Sequence, residues 1–242
     1  MIMNKIKIYL ITFIFSVICY ANAIAATGAA TEYKITIYKM ELCDSTSTAS
    51  ACNGAVTVYD GNSGAIDIAN TNAGAAAASL GNAGVAKFGT SYTYMQITMG
   101  RAFTVKGSAA DDSGTTCYTK SGEAGAAGTL AEGTPTSGSE ASTTLYAAMV
   151  GTSVGDNLTG LSSLTDTTGV ASTIASDDEY FLYRQQLAST FTMVPGNIPS
   201  VTVAFGTTNA VGAIDDMGDD CDSVGAAKGL YAAEPDVTVT IK

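Results

Sequence analysis

The stretch YTYMQITMGRAFTV, from Tyr92 to Val105, is the clearest β-strand pattern in the sequence. Side chains alternate between two faces with a period of two, as a strand requires. One face carries large apolar side chains and the other carries tyrosines: Met95, Ile97 and Met99 against Tyr92 and Tyr94. Gly100 and Arg101 interrupt the alternation, which predicts a β-bulge before the pattern resumes.

An earlier stretch, YKITIYKMEL from Tyr33 to Leu42, changes phase along its length. Tyr33, Ile35 and Ile37 would face one way, and the apolar positions then shift to Met40 and Leu42. Such a shift within one strand predicts a β-bulge or a strand that passes from one sheet to another.

Further short alternating stretches are separated by turn residues such as Asp60-Gly61-Asn62 and Pro195-Gly196-Asn197. They predict strands at Ala55–Tyr59, Ala65–Ala69, Tyr180–Leu187, Thr190–Val194, Ser200–Phe205 and Val237–Ile241. About eight short strands with turns between them are typical of an all-β, antiparallel β-sandwich of the immunoglobulin or transthyretin kind.

The middle of the chain is dilute in large apolar residues. Residues from about 107 to 176 are rich in Gly, Ala, Ser and Thr, a composition that forms little core by itself. We expect a single domain over residues 26–242, with a long surface insertion at about 107–176 that is attached through Cys117.

The first 25 residues have the three parts of a secretory signal peptide. Lys5 and Lys7 precede an apolar run from Ile8 to Tyr20, and alternate alanines follow up to Ala25. The apolar run is too short to span a bilayer as a helix. We expect cleavage after Ala25, with Ala23 as the alternative site, and no membrane span in the mature chain. The protein would then be exported to the periplasm, the cell surface or the extracellular medium.

Removal of residues 1–25 leaves nine basic and 22 acidic residues, a net charge of −13. This charge repels phosphate backbones and anionic membranes, so nucleic acid is excluded as a partner. Cations and neutral partners such as glycans remain compatible with it.

Four cysteines remain after signal cleavage, and an even number in an exported chain predicts disulfides. Cys43 and Cys52 flank a short polar loop, so we pair them, which leaves Cys117 to pair with Cys221. A zinc site is disfavoured because the spacings are not C-x-x-C and the sequence contains no His.

The loop from Asp215 to Asp222 is crowded with carboxylates, which repel one another unless a cation lies among them. Ca²⁺ binds six to eight oxygens of this kind, so the loop is a candidate Ca²⁺ site with these ligands: Asp215, Asp216, Asp219, Asp220 and Asp222. The spacing is not that of an EF-hand, and a solvated acidic turn beside a disulfide is the competing interpretation. We expect no other cofactor.

Tyrosines form a second candidate site. On an exposed sheet face Tyr92 and Tyr94 would stack on sugars or pack against another subunit, together with Tyr180, Tyr183 and Tyr231. The alternative is that these rings cover the rim of the fold.

Enzyme chemistry is disfavoured. A chain without His cannot form a Ser-His-Asp or Cys-His arrangement, and oxidised cysteines cannot act as nucleophiles. Asp67, within AIDIA, is the carboxylate with the most apolar neighbours, and we interpret it as a turn or edge residue.

The run from Tyr33 to Gly107 resembles an uncharacterised family of exported bacterial β-sandwich domains. The resemblance rests on four motifs in order: ITIYKMELC, AVTVYD, AIDIA and SYTYMQITMGRAFTVKG. It implies a secreted sandwich fold and brings no catalytic residues. The long segment after Gly107 departs from the compact family pattern.

Two classes of function follow. The first is a non-enzymatic structural or interaction protein of the cell envelope, adhesin-like or a surface-assembly subunit, with other protein chains or its own copies as partners. The second is a periplasmic or surface module that binds glycan or Ca²⁺. In the first case we expect the strand Tyr33–Leu42, behind a flexible start at residues 26–31, to pair between copies.

Overall fold

A computed structural model describes residues 26–70, 81–111, 114–122, 130–147, 158–166, 174–175, 177–196, 199, 201–215 and 228–241. In this part of the chain all regular structure is β-strand except a 3₁₀ turn at Ala83–Val85, which confirms the all-β class. The strands are β1 Ala26–Gly28, β2 Ala30–Asp44, β3 Val56–Asp60, β4 Ala65–Asp67, β5 Ser91–Gly100, β6 Ala102–Ala110, β7 Thr116–Thr119, β8 Gly133–Thr134, β9 Thr143–Tyr146, β10 Leu158–Leu161, β11 Tyr180–Thr192, β12 Val201–Gly206, β13 Val211–Asp215, β14 Lys228–Ala232 and β15 Asp236–Ile241.

Strand β2 organises the sheet because its two halves have different neighbours. The C-terminal half pairs with β3 and β5, and the N-terminal half pairs with β4 and β6. The register against β5 shifts between Ile37 and Lys39, where the sequence pattern changes phase, so the predicted irregularity is confirmed. The shift lets both apolar sets of β2 be buried, Ile35 and Ile37 before it and Met40 and Leu42 after it.

The strand interrupted at Gly100 and Arg101 is likewise confirmed. β5 and β6 follow one another with Arg101 between them, and both pair with β2. The main path of strands runs β12-β15-β11-β5-β2-β6-β7-β8, and β1, β13 and β14 form a separate three-stranded sheet. The pairs are antiparallel, as expected, except for β11 with β15, which run parallel and meet at Leu187 and Val239.

Segment 180–194 differs from its prediction of two strands. It forms one strand, β11, whose register against β5 shifts between Gln186 and Phe191. The break in alternation is therefore an irregularity within a continuous strand, because the neighbouring β5 continues past it.

The segment expected to be a surface insertion contains strands and buried residues where the structure describes it. Residues 107–161 include the end of β6 and strands β7 to β10, and Cys117, Leu145 and Leu161 are buried. Sparse large side chains suffice because Ala, Gly and Thr let neighbouring strands approach closely. Gly107 shows this: a Cβ atom there would lie 2.3 Å from the carbonyl oxygen of Ala29.

The expectation of a flexible start followed by a strand with a free edge is also wrong. β1 pairs with β13, and the backbone of Ala30 donates a 2.9 Å hydrogen bond to the carbonyl of Thr207. β2 has paired strands on both sides, so it offers no edge to a second chain. Among the described residues, no helix is both long and apolar enough to cross a membrane.

Candidate functional site

The predicted disulfide between Cys43 and Cys52 is confirmed, with the two Cα atoms 5.0 Å apart. It closes a polar loop at the end of β2. Within the loop the Asp44 carboxylate accepts hydrogen bonds from the hydroxyl and the backbone N–H of Thr46, and these lower the pKa of Asp44. The loop is thus held by a covalent bond and by side-chain caps.

The other predicted cysteine pair and the acidic loop lie mostly beyond the described residues. Cys117 is buried on β7, whereas Cys221 lies outside the described residues, so their pairing stays a prediction. Asp215 ends β13 opposite Lys228, and the remaining candidate ligands Asp216, Asp219, Asp220 and Asp222 also lie outside. Within the described ranges no group of three or more His, Cys, Asp or Glu residues is placed to hold a metal ion. The Ca²⁺ site therefore stays a prediction.

The tyrosine face is corrected for Tyr92. Its side chain is buried, its hydroxyl accepts a 3.0 Å hydrogen bond from the Lys87 N–H, and its ring stacks on Phe191. Alternation put Tyr92 and Tyr94 on one face, but the register of β2 against β5 shifts at the positions opposite these two residues. Tyr94 is partly exposed and remains available at the surface.

Asp67 is the last residue of β4 and directly precedes a turn at residues 68–70. Its carboxylate accepts hydrogen bonds from the N–H groups of Tyr33 and Ala69 and a 2.7 Å bond from the Asn70 amide. Burial alone would raise the pKa of Asp67, but these hydrogen bonds outweigh burial and lower it. The group is therefore an ionised acceptor that ties the end of β4 to β2.

Arg101 is a buried cation whose burial the sequence analysis did not predict. It lies between β5 and β6 and is 1% exposed. Its guanidinium lies 5.3 Å from the centre of the Tyr146 ring, and its Nη1 donates to the carbonyl of Ala175. The interruption at Gly100 and Arg101 was the signal for an irregularity but not for burial, because Arg is ordinarily exposed.

The charge of Arg101 is only partly compensated. Its Nε and Nη2 have no hydrogen-bond partner in the described part of the chain. Burial lowers the pKa of Arg101, and the nearby carboxylates of Asp178 and Asp177 oppose that shift. Arg101 thus fastens Ala175 and Glu179 to the junction of β5 and β6.

A second polar group lies on one face of the central strands. Glu41, Gln96 and Arg184 are directly opposite one another on β2, β5 and β11, and all three are buried. Gln96 donates a 2.8 Å bond to Glu41, and Arg184 Nη1 donates to the Thr159 hydroxyl at 3.2 Å. Since one register slip would separate these partners, the row fixes the alignment of the strands.

Strand β12 lies at the edge of the sheet, where another chain can pair with it. β12 pairs along its whole length with β15, from Val201 opposite Ile241 to Gly206 opposite Asp236. In the described part of the chain no strand pairs with its other side. Val203 is buried, whereas Thr202 is exposed and Ala204 is partly exposed.

This edge lacks the usual protection against pairing. Natural edge strands carry Lys, Pro or bulges that discourage addition of another strand. β12 reads VTVAFG and contains no charged residue and no Pro, and its register with β15 is continuous. By contrast, the outer side of β3 is partly covered, because the Val58 carbonyl accepts a hydrogen bond from the Asn82 N–H.

Two exposed apolar side chains lie where β5 begins and β11 ends. Phe88 is 65% exposed and Val194 is 49% exposed. The residues beside them, Gly89 and Met193, are joined by a 2.9 Å backbone hydrogen bond. The two side chains therefore project from adjacent backbone segments.

Comparison with known proteins adds no relative to this picture. No protein-family model matches the chain, and neither a curated protein nor a solved structure gives a significant match.

Proposed function

We propose that this chain is an exported structural or interaction protein of the cell envelope that acts through strand addition at β12. The observation that carries the proposal is the continuous, uncharged edge of β12. Such an edge recognises an extended segment through main-chain hydrogen bonds and needs no special side chains. The role is that of an adhesin-like or surface-assembly subunit, and it is not enzymatic.

The fold that we propose for this role is an antiparallel β-sandwich of the immunoglobulin or transthyretin kind. The support comes from β2, whose two halves pair with different strands and bury different apolar sets on either side of the register shift. Strands that pass between two packed sheets do so at such bends.

Export is part of the proposal. The Cys43–Cys52 disulfide is the kind of bond that persists in oxidising compartments, and residues 1–25 have the three parts of a secretory signal peptide. Mass spectrometry of the secreted protein tests this: we expect a chain that starts at Ala26, and a mature chain that starts at Met1 contradicts it.

The edge itself is tested by site-specific photo-crosslinking in cells. A photoreactive residue at Ala204 lies on β12, and one at Thr238 lies directly opposite it on β15, on the same sheet face. We expect an adduct with a protein chain from Ala204 and none from Thr238, because β15 has strands on both sides. No adduct at Ala204, or equal adducts at both positions, contradicts strand addition.

The alternative, a module that binds glycan or Ca²⁺, predicts a different result. The mature protein would then be monomeric, and its melting temperature would rise on addition of Ca²⁺ or sugar. Burial of Tyr92 removes one of the two tyrosines expected to contact a glycan, so we place this function second.

A further inference from the structure

The stretch of sequence that contains β12 is unusually free of charge for so acidic a chain. From Gln185 to Ile214 the sequence contains no Asp, Glu, Lys or Arg, the longest such stretch after position 25. The edge therefore offers nothing to select a charged partner, and it lacks the like charges that would otherwise separate two acidic copies. A second copy of this chain fits the edge on these grounds.

Symmetry limits how two copies of β12 can meet. A two-fold axis normal to the sheet reverses the strand direction and keeps each sheet face on its own side, so it gives an antiparallel pair. Residues directly opposite each other in such a pair lie on the same face. Thr202 can therefore face Ala204 of the partner or its own copy, but it cannot face Val203.

The residues of β12 select one register among those that symmetry allows. With the axis at Val203, Val201 faces Phe205 and Thr202 faces Ala204, so every residue of the strand except Gly206 is paired. β-branched and aromatic residues favour such cross-strand pairs, and Gly weakens them. An axis at Ala204 would instead place Gly206 opposite Thr202.

The same register keeps the nearest carboxylates apart. Asp236 lies one strand inside the edge, opposite Gly206. In the symmetric pair the two copies of Gly206 lie at opposite ends of the joint, six residues apart along the strands, which is about 20 Å. This separation exceeds the screening length of roughly 8–10 Å at ordinary salt concentrations, so these charges do not prevent pairing.

We propose that two copies of this chain dimerise by antiparallel pairing of β12, about a two-fold axis at Val203 and normal to the sheet. This inference rests on the proposed function and adds the partner and the register. The contact is confined to one short strand per copy, so we expect a reversible dimer that forms at high local concentration, as on a crowded cell surface.

Cysteine crosslinking of purified protein reads the register directly. Thr202→Cys and Ala204→Cys are prepared as separate variants of the mature chain. These positions suit crosslinking because Thr202 is exposed and Ala204 is partly exposed. Under mild oxidation we expect a species of doubled mass from a mixture of the two variants. Neither variant alone should give it, since each cysteine faces the other position in the partner.

The control is Thr238→Cys, an exposed position on the same face of β15, which should not crosslink alone or in mixtures. A doubled species from Ala204→Cys alone, or from Thr202→Cys alone, overturns the axis at Val203. A mixture that crosslinks no more than the control overturns dimerisation at β12.

Analytical ultracentrifugation supplies an independent measurement. We expect a monomer–dimer equilibrium for the wild type. The double variant Thr202→Lys with Ala204→Lys should raise the dissociation constant about tenfold or more, because Lys on an edge strand opposes pairing with another strand. Thr238→Lys should leave it unchanged. A strictly monomeric wild type overturns the dimer, and the proposed function then stands only if the Ala204 photo-crosslink joins this chain to a different protein.

Discussion

The hydroxyl of Tyr33 donates a 3.0 Å hydrogen bond to the backbone carbonyl of Ala233, 200 residues later in the chain. The Tyr33 side chain is buried, and its ring centre lies 5.3 Å from that of Phe103. Burial also raises the pKa of Tyr33, so the neutral, hydrogen-bonding form persists in the folded chain. One side chain thus joins β2 to the segment between β14 and β15.

We expect Tyr33→Phe to lower the free energy of unfolding by about 1–2 kcal/mol, because the buried carbonyl of Ala233 loses its partner. Urea denaturation monitored by circular dichroism measures the change. The matched control is Tyr38→Phe, whose ring is partly exposed and packs edge-on against Tyr180; its effect should stay within about 0.5 kcal/mol. Equal effects of the two substitutions would contradict the assigned role of Tyr33.

Asp67→Asn should destabilise the fold at neutral pH by about 1–2 kcal/mol, since a charged acceptor of several hydrogen bonds is replaced. The pKa of Asp67 is lowered in the folded chain, so its contribution is complete above the ordinary carboxyl value and is lost as pH falls below it. The difference between wild type and variant should therefore narrow in acid. Denaturation at several pH values measures this, with exposed Asp60→Asn as control; a difference that is independent of pH would contradict the assignment.

Removal of the confirmed disulfide by Cys43→Ala with Cys52→Ala should lower the free energy of unfolding by about 2–3 kcal/mol, the value expected for so short a closed loop. The urea midpoint measures the loss. Ser50→Ala, at an exposed position in the same loop, serves as the control. An unchanged midpoint in the double variant would show that the loop does not depend on the bond.

Two substitutions of Arg101 separate the contribution of its packing from that of its buried charge. Arg101→Ala should cost about 2–4 kcal/mol, because it opens a cavity and removes the bond to Ala175. Arg101→Met fills much of the same volume without a charge, so it should stay within about 1 kcal/mol of wild type. Thermal unfolding compares the two, with Lys106→Ala on β6 as control. If Met and Ala cost the same, packing is not what Arg101 provides.

The sequence predicted those strands in which apolar and polar residues alternate cleanly. β3, β4, β12 and β15 lie where expected, and the phase change in β2 marks a real register shift. Alternation failed to predict the burial of Tyr92, because β5 is covered on both faces: Gln96 and Thr98, on the face assigned to the tyrosines, are buried as well. Whether a strand face is buried depends on what the fold packs against it, which local alternation does not reveal.

The sequence pattern did not predict the strands that are rich in small residues, for a different reason. β13 and β14 read VGAID and KGLYA, and their few large side chains gave too weak a signal for a strand. Val211 and Leu230 are nevertheless buried, because close backbone approach makes a core from little apolar surface. The candidate edge was visible as the alternating stretch Ser200–Phe205, but its position at the end of the sheet follows only from tertiary pairing.

The link between Tyr33 and Ala233 also bears on the order in which the chain acquires its structure. β2 pairs with β3 and β5, which lie close to it in sequence. By contrast, the hydroxyl of Tyr33 on β2 binds the carbonyl of Ala233, shortly before β15. Contacts between such distant residues incur the loop-closure entropy before they contribute, which slows folding to milliseconds or longer. During synthesis, the contact that buries the Tyr33 hydroxyl therefore cannot form until the segment that contains Ala233 has emerged.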